Sequence, residues 1–475
     1  MKQKSLLKNS IFNAVYKGLS VIFPFIVTAY VSRVLLPAGV GKVSYANVIV
    51  LYFITLAAMG IPNYGVKLIA QCNGIKEKSK GFYELFIINF LSTLICIGLY
   101  YALVLCLPHL SNERTLYCVM GLLLVLNIFN IDWFYQGIEE YAYIATRSLI
   151  IKILSIFSII LLVKSEEDYI LYAFLLCLAS AGNYIFNIIN AGKHLEFGHY
   201  HLELRKHLKP IIVLLAAAIA TEIYTMLDTV MLEYFHGEES VGYYSNSVKV
   251  VRMIYSLSIS IVATFFPRIS SFMKNRQQED LNMLLSQGLR IVLVFSLPCF
   301  LGLLMVADCF VPLFFGEAFS PAVNTLKILS ILIVVFSLAY FLGHIILISA
   351  GKENTIMKIT IVGALTNAIL NVFLIPAHAQ EGAAIASVIS ELVVTVLLII
   401  SGKNYYHISI NKSFALSITL SNIFMVMSVL YVKNMMNGDA KQLFSSIIVG
   451  GIVYCLSLLI TKNEVVLDII KRVRK

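Results

Sequence analysis

Apolar runs of near membrane-span length recur fourteen times along the chain, separated by short polar stretches. They lie near 10–34, 39–62, 82–106, 116–135, 143–163, 168–191, 209–232, 241–266, 285–308, 325–350, 355–376, 382–401, 412–432 and 442–461. A helix needs roughly 20 apolar residues to cross the ~30 Å hydrocarbon core. The runs lack the alternation of apolar and polar positions that a membrane barrel would show. In lipid every backbone N–H and C=O has to be bonded within the protein. The pattern therefore predicts an all-α, polytopic membrane protein with about 14 transmembrane helices. Composition agrees, with 59% hydrophobic and 13% charged residues, far from soluble usage. Segment 10–34 carries Lys17, exceeds a signal-peptide core and is followed by no A-x-A site, so it is expected to stay as a span.

The net charge of +10 reads as topology. With the N-terminus in the cytoplasm, 25 basic residues fall on inside segments and six fall outside: Arg33, Lys42, Arg114, Lys164, Lys433 and Lys441. That is the positive-inside bias. Both termini are then cytoplasmic, and no nucleic-acid partner is implied. Loops are too short for a soluble catalytic domain, which argues against an enzyme. The Gly-Lys pairs at 192–193, 351–352 and 402–403 lack the upstream glycine and the following Ser/Thr of a phosphate-binding loop. An ATP motor would have to come from another subunit. Eight scattered cysteines form neither a disulfide framework nor a metal site, and no cofactor is expected. His194, His199, His201 and His207 read as part of a solvated cytoplasmic linker.

Polar residues inside the spans are spaced for single helix faces. Segment 241–266 carries Ser245, Lys249, Arg252, Ser256 and Ser260, all on one stripe. A charge at the bilayer centre costs at least ~2.5–3.5 kcal/mol, so Lys249 and Arg252 need an acid, a water-filled cavity or an anionic cargo. Segment 209–232 carries Thr221, Thr225 and Asp228 on one face, with Glu222 beside it. Asn13 and Lys17 lie in the first span, His344 in the tenth, and Asn367 and Asn371 in the eleventh. Two readings stand open. The hydroxyls can simply bond the preceding turn, or the stripes can line an aqueous cavity between two lobes. Glu222 lies at a depth similar to Arg252 and can pair with it. Glu222 and Asp228 are also candidates to couple transport to H⁺ or Na⁺, since a buried carboxylate can carry a proton. Asp132 and Glu391 are weaker candidates.

An internal echo organises the spans. Val40-Gly41-Lys42-Val43-Ser44 and Val241-Gly242-Tyr243-Tyr244-Ser245 both read V-G-x-x-S, 201 residues apart. An even number of spans separates them, which suits two parallel repeats. The expected organisation is an N-terminal lobe at 1–191, a cytoplasmic linker at 192–208, and a C-terminal lobe at 209–401. Two extra spans and a basic tail occupy 402–475.

Several short patches carry a family resemblance. Asp132-Trp133-Phe134-Tyr135-Gln136-Gly137-Ile138-Glu139 closes the fourth span. By physics alone it is an aromatic belt at the membrane interface. It also resembles the signature of Wzx-type polysaccharide repeat-unit flippases. So do Ser32–Ala46, Met59-Gly60-Ile61-Pro62, Val241–Ser245 and Glu381-Gly382-Ala383-Ala384-Ile385-Ala386-Ser387. In the first of these, Pro37-Ala38 replaces the usual small glycine. The resemblance implies a two-lobed bundle of the multidrug/oligosaccharidyl-lipid/polysaccharide exporter type. It implies an oligosaccharide on undecaprenyl pyrophosphate, flipped across a bacterial inner membrane by alternating access for O-antigen or capsule synthesis. The related lipid II flippases carry cavity cations in spans 1, 2 and 8. Here Lys17, Lys249 and Arg252 occupy spans 1 and 8, whereas Lys42 lies at the outer mouth of span 2. On this reading Lys17, Lys249 and Arg252 hold the pyrophosphate, with Asn13, Ser245 and Ser256 as polar neighbours. The partners expected are that lipid-linked glycan, membrane lipid, H⁺ or Na⁺, and the polysaccharide polymerase machinery. The rival is a cation-coupled antiporter for drugs or organic cations on the same fold, whose cavity should be acidic.

Overall fold

The computed structural model describes residues 6–403, 405 and 411–467, with side chains from residue 25 onward except at 109 and 261. Among these residues every regular element is a helix. Twelve helices are long and apolar enough to cross a membrane, two fewer than the apolar segments of the sequence. The difference lies in Phe25–Gln71 and Glu353–Gly402, which run for 47 and 50 residues. Each is bent. Leu36 has φ 56° and ψ 178° and stands directly before Pro37, whose ring disfavours helical geometry at the preceding residue. Ala379 has φ 46° and ψ −129°, three residues after Pro376. Gly382 follows this second bend, where a Cβ would overlap the Leu374 carbonyl oxygen. A further turn at Met59 and Gly60 (φ 50° and 74°) opens the short helix Ile61–Gln71.

The V-G-x-x-S echo has a backbone counterpart. Four residues before Val40 stands Leu36, with φ 56°, and four before Val241 stands Gly237, with φ 76°. Both copies therefore follow a left-handed residue that redirects the chain.

The chain divides into two compact units, Met1–Glu233 and Tyr234–Lys475. In the first, Ile61, Ile69, Phe82, Leu85, Ile131 and Phe134 pack into one core with Trp133. Trp133 is 3% exposed, and Phe134 and Tyr135 are fully buried. The aromatic run is thus interior packing and not an interface belt. Its seat is made by glycines: a Cβ at Gly65 would run into the Trp133 ring, and one at Gly137 into Ile69. In the second unit Leu285, Val292, Phe341, Ile345, Leu347 and Leu398 form the core, with Phe341 admitted by Gly288. Many large apolar side chains face outward, among them Ile95, Leu99, Phe157, Leu161 and Phe373, as expected where the surrounding medium is hydrocarbon rather than water.

Candidate functional site

In the second unit the helix Glu238–Val262 carries the cationic stripe. Arg252 is exposed, and Ser245, Lys249 and Ser256 are half-buried. Lys249 Nζ reaches Asn246 Oδ1 at 3.5 Å, the outer limit of a hydrogen bond. Among the described residues neither Lys249 nor Arg252 belongs to an ion pair. Ser256 Oγ donates to the Met253 carbonyl at 2.7 Å, and Ser260 Oγ to that of Ser256 at 2.9 Å. Their protons are committed to the preceding turn, which leaves lone pairs able to accept from a cargo hydroxyl. Tyr255 lies within electrostatic reach of both Arg252 and Glu391.

In the first unit the helix Arg205–His236 presents the acids. Its buried residues are His207, Ile211, Asp228, Thr229, Leu232 and Glu233, so four of six are polar while apolar side chains such as Ile212, Val213 and Ile223 face out. Glu222 and Asp228 both act electrostatically on Tyr52, and Glu233 acts on Tyr45. The phenol of Tyr52, in the first long helix, is thus within electrostatic range of both candidate coupling acids. Thr221 and Thr225 are exposed and donate to the carbonyls of Ala217 and Glu222. Glu222 belongs to the first unit and Arg252 to the second. The side chains of Lys17 and Asn13 lie outside those described.

The structure also contains a polar centre that sequence reasoning missed. Glu84 is 1% exposed and accepts from His207 Nε2 at 2.8 Å, from the Glu203 backbone N–H at 2.8 Å and from Lys206 Nζ at 3.1 Å. Lys80 Nζ stands 3.9 Å away. The other ring nitrogen of His207 bonds the Tyr64 hydroxyl at 2.9 Å. His207, also 1% exposed, is thus not part of a solvated linker. It is a buried strut joining helices Ile61–Gln71 and Ile75–Cys106 to the start of Arg205–His236. The signal was there to read. Glu84 is the one acid in the run 82–106, and a buried carboxylate demands donors.

Several other ionisable groups serve as joints. Asp132 Oδ1 accepts from Arg147 Nη2 at 2.9 Å and from Asn187 Nδ2 at 2.8 Å, while Tyr135 donates to the Asn187 carbonyl at 2.6 Å. Asp132 is thereby occupied in holding the aromatic motif. Lys42 pairs with Glu113, which also accepts from Tyr169 at 2.7 Å. Lys327 and Lys433 share Asp308, at 2.6 and 3.4 Å. Tyr244 and Ser387 bond at 2.9 Å, so two of the family-like patches meet side chain to side chain.

A model of the family described as "Polysaccharide biosynthesis protein" matches residues 6–273, and one described as MatE matches residues 214–373. The "Putative O-antigen transporter" of Shigella dysenteriae is 24% identical over 406 residues, which cover 82% of this chain and 98% of that protein. A structure of the lipid II flippase MurJ in an inward closed conformation superposes with a TM-score of 0.77 at 15% identity, over 97% of this chain and 100% of that one. An inward-facing multidrug resistance MATE family transporter of the MOP superfamily superposes with a TM-score of 0.63 at 14% identity, over 83% and 97%. At such identities the structural likeness establishes the fold alone.

Proposed function

The chain belongs to the polysaccharide biosynthesis protein family, and on that premise we propose that it is a flippase for lipid-linked oligosaccharides. Its cargo is a repeat unit on undecaprenyl pyrophosphate, moved from the cytoplasmic to the outer leaflet of a bacterial inner membrane. The product is a surface polysaccharide such as O-antigen or capsule, and both termini are cytoplasmic. Lys249 and Arg252, with Lys17, take the pyrophosphate. Asn13, Ser245 and Ser256 bond the polar head, and the prenyl tail stays in lipid while two lobes open alternately. Glu222 and Asp228 couple the cycle to H⁺ or Na⁺, and polymerase machinery receives the product.

The observation that carries this reading is the cationic stripe of Glu238–Val262. Two cations share one face of a membrane helix, and no acid pairs with either among the described residues. An anionic pyrophosphate meets that need, through a point charge from lysine and a planar fork of donors from arginine. The transporter named for O-antigen, matched along nearly its whole length, supports the cargo class.

The test is deletion of the gene followed by analysis of undecaprenyl-linked sugars. Repeat units should accumulate on the cytoplasmic face. Complementation with Arg252→Ala or Lys249→Ala should restore surface polysaccharide at least about tenfold less well than wild type, the loss expected for one charge-assisted contact. Wild-type levels from both variants would sink the cargo-binding role. The rival, an exporter of organic cations, has in its favour the shared fold and the two carboxylates within electrostatic range of Tyr52. Increased efflux of cationic dyes on overexpression, with no change in lipid-linked sugars on deletion, would favour it.

A further inference from the structure

Next to Arg252 the second unit builds a ladder of rings. Phe336, Tyr340 and His344 follow one another at intervals of four, which stacks them on one helix face with ~6 Å between steps. Tyr340 and His344 are stacked, with centroids 4.9 Å apart and planes at 13°. Tyr255, one turn beyond Arg252, leans on Phe336 at 5.1 Å and 42°. It also lies within electrostatic reach of Tyr340, of Arg252 and of Glu391. The backbone changes here as well. Residues Phe341–Leu347 form a π-helix of seven residues, a rare geometry that is frequent at functional sites. Six of the seven are buried, and His344 alone is exposed.

A face meant only for acyl chains has no use for an imidazole, a guanidinium and a carboxylate beside its rings. A face meant only for an ion has no use for stacked aromatics. Sugars need both, because a pyranose has apolar C–H faces and an edge of hydroxyls. The ring surface that mutual stacking leaves open takes the first, and Tyr, His, Arg and Glu polar atoms take the second.

We propose that Tyr255, Phe336, Tyr340 and His344 form a glycan-binding platform, with Arg252 at its phosphate end and Glu391 at its polar edge. The proposal rests on the flippase reading and adds to it where the sugars lie. Pyrophosphate at Arg252 sets the first sugar against Tyr255 and Phe336, and the following sugars step along Tyr340 and His344. The ladder therefore contributes to the affinity for cargo through the glycan and not through the lipid.

The experiment uses purified full-length protein in detergent and two probes. One is bare undecaprenyl pyrophosphate, and the other is the lipid-linked repeat unit extracted from the deletion strain. Wild type should bind the glycan-bearing lipid more tightly. Tyr340→Leu and His344→Leu should each weaken that lipid about fivefold while leaving the bare lipid unchanged, whereas Arg252→Ala weakens both. Tyr340→Phe should retain most of the glycan affinity. His344 is exposed, so its substitution tests the platform without threatening the fold. An unchanged preference in both leucine variants, with Arg252→Ala still weakening both lipids, overturns the platform and leaves the flippase reading standing. Wild type binding neither lipid overturns both.

Discussion

Glu84 collects donors from a histidine, a lysine and a backbone amide at almost no exposure, and this makes it a structural anchor of the first unit. Removing one partner strands charge in a poorly solvated place, which is worse than removing both. His207→Leu is expected to lower stability by roughly 2–4 kcal/mol, read as a fall in melting temperature. The double variant with Glu84→Leu should lose less than the sum of the two single changes. At the other polar end, Glu113 behaves differently with pH. Burial alone would raise its carboxyl, but hydrogen bonds from Lys42 and Tyr169 and the Lys42 charge outweigh this and hold it below its usual range. A carboxylate depressed in the folded state contributes stability that is present above its unfolded value of ~4.3 and is lost as pH falls through the folded one. Wild type should therefore melt above Glu113→Gln at neutral pH, and the gap should close on acidification below that value. Residue types in the sequence announced that charges inside spans need partners. Which partner each one found was not legible, because His207 and Glu84 are 123 positions apart and only the folded chain joins them.

The bends of the two longest helices decide how the apolar segments become elements. Periodicity marks both segments of each pair, and Pro37 and Pro376 hint at the breaks, yet the left-handed residues are Leu36 and Ala379. Neither residue type favours that conformation, so the surrounding packing imposes it. Gly382 is one of the enforcing contacts. Gly382→Ala places a methyl group on the Leu374 carbonyl and should cost about 1–3 kcal/mol. Gly302→Ala, with nothing within 4 Å, should be neutral or stabilising by comparison. Thermal melts of both variants in detergent check the contrast. The patches that resemble polysaccharide flippases turn out to be such joints. Trp133 sits over Gly65, Tyr244 bonds Ser387, and Asp132 holds Arg147 and Asn187. They report how the helices fit together. That is why an aromatic run ending a span resembled an interface belt: composition is the same in both settings, and only burial tells them apart.

Sidedness is a property of the whole molecule, and the polar clusters bear on it. Tyr64, Lys80, Glu84, Glu203, Lys206 and His207 form one cluster, and the count of basic residues assigns all their segments to the cytoplasmic side. Lys42, Glu113 and Tyr169 form another, as do Asp308, Lys327 and Lys433, and both join segments assigned outside. Arg290, Asn411 and Glu464 form a fourth, inside. None of these four clusters mixes sides. Alkaline phosphatase, active only beyond the inner membrane, should thus be inactive when fused after residue 203 and active when fused after residue 438, and the reverse result would invert the topology. By itself the sequence determined the class of molecule, since twenty apolar residues in a row have one stable state in a bilayer and basic residues are retained on one side of it. It determined too that Lys249 and Arg252 share a face, because helical spacing is local. The tertiary structure alone decided that Glu222 and Asp228 both come within electrostatic range of Tyr52, that Glu84 anchors His207, and that a ladder of rings stands beside Arg252. Each of these depends on which helices pack against which, and the one-dimensional pattern of apolar and polar residues is nearly the same for every helix in the bundle.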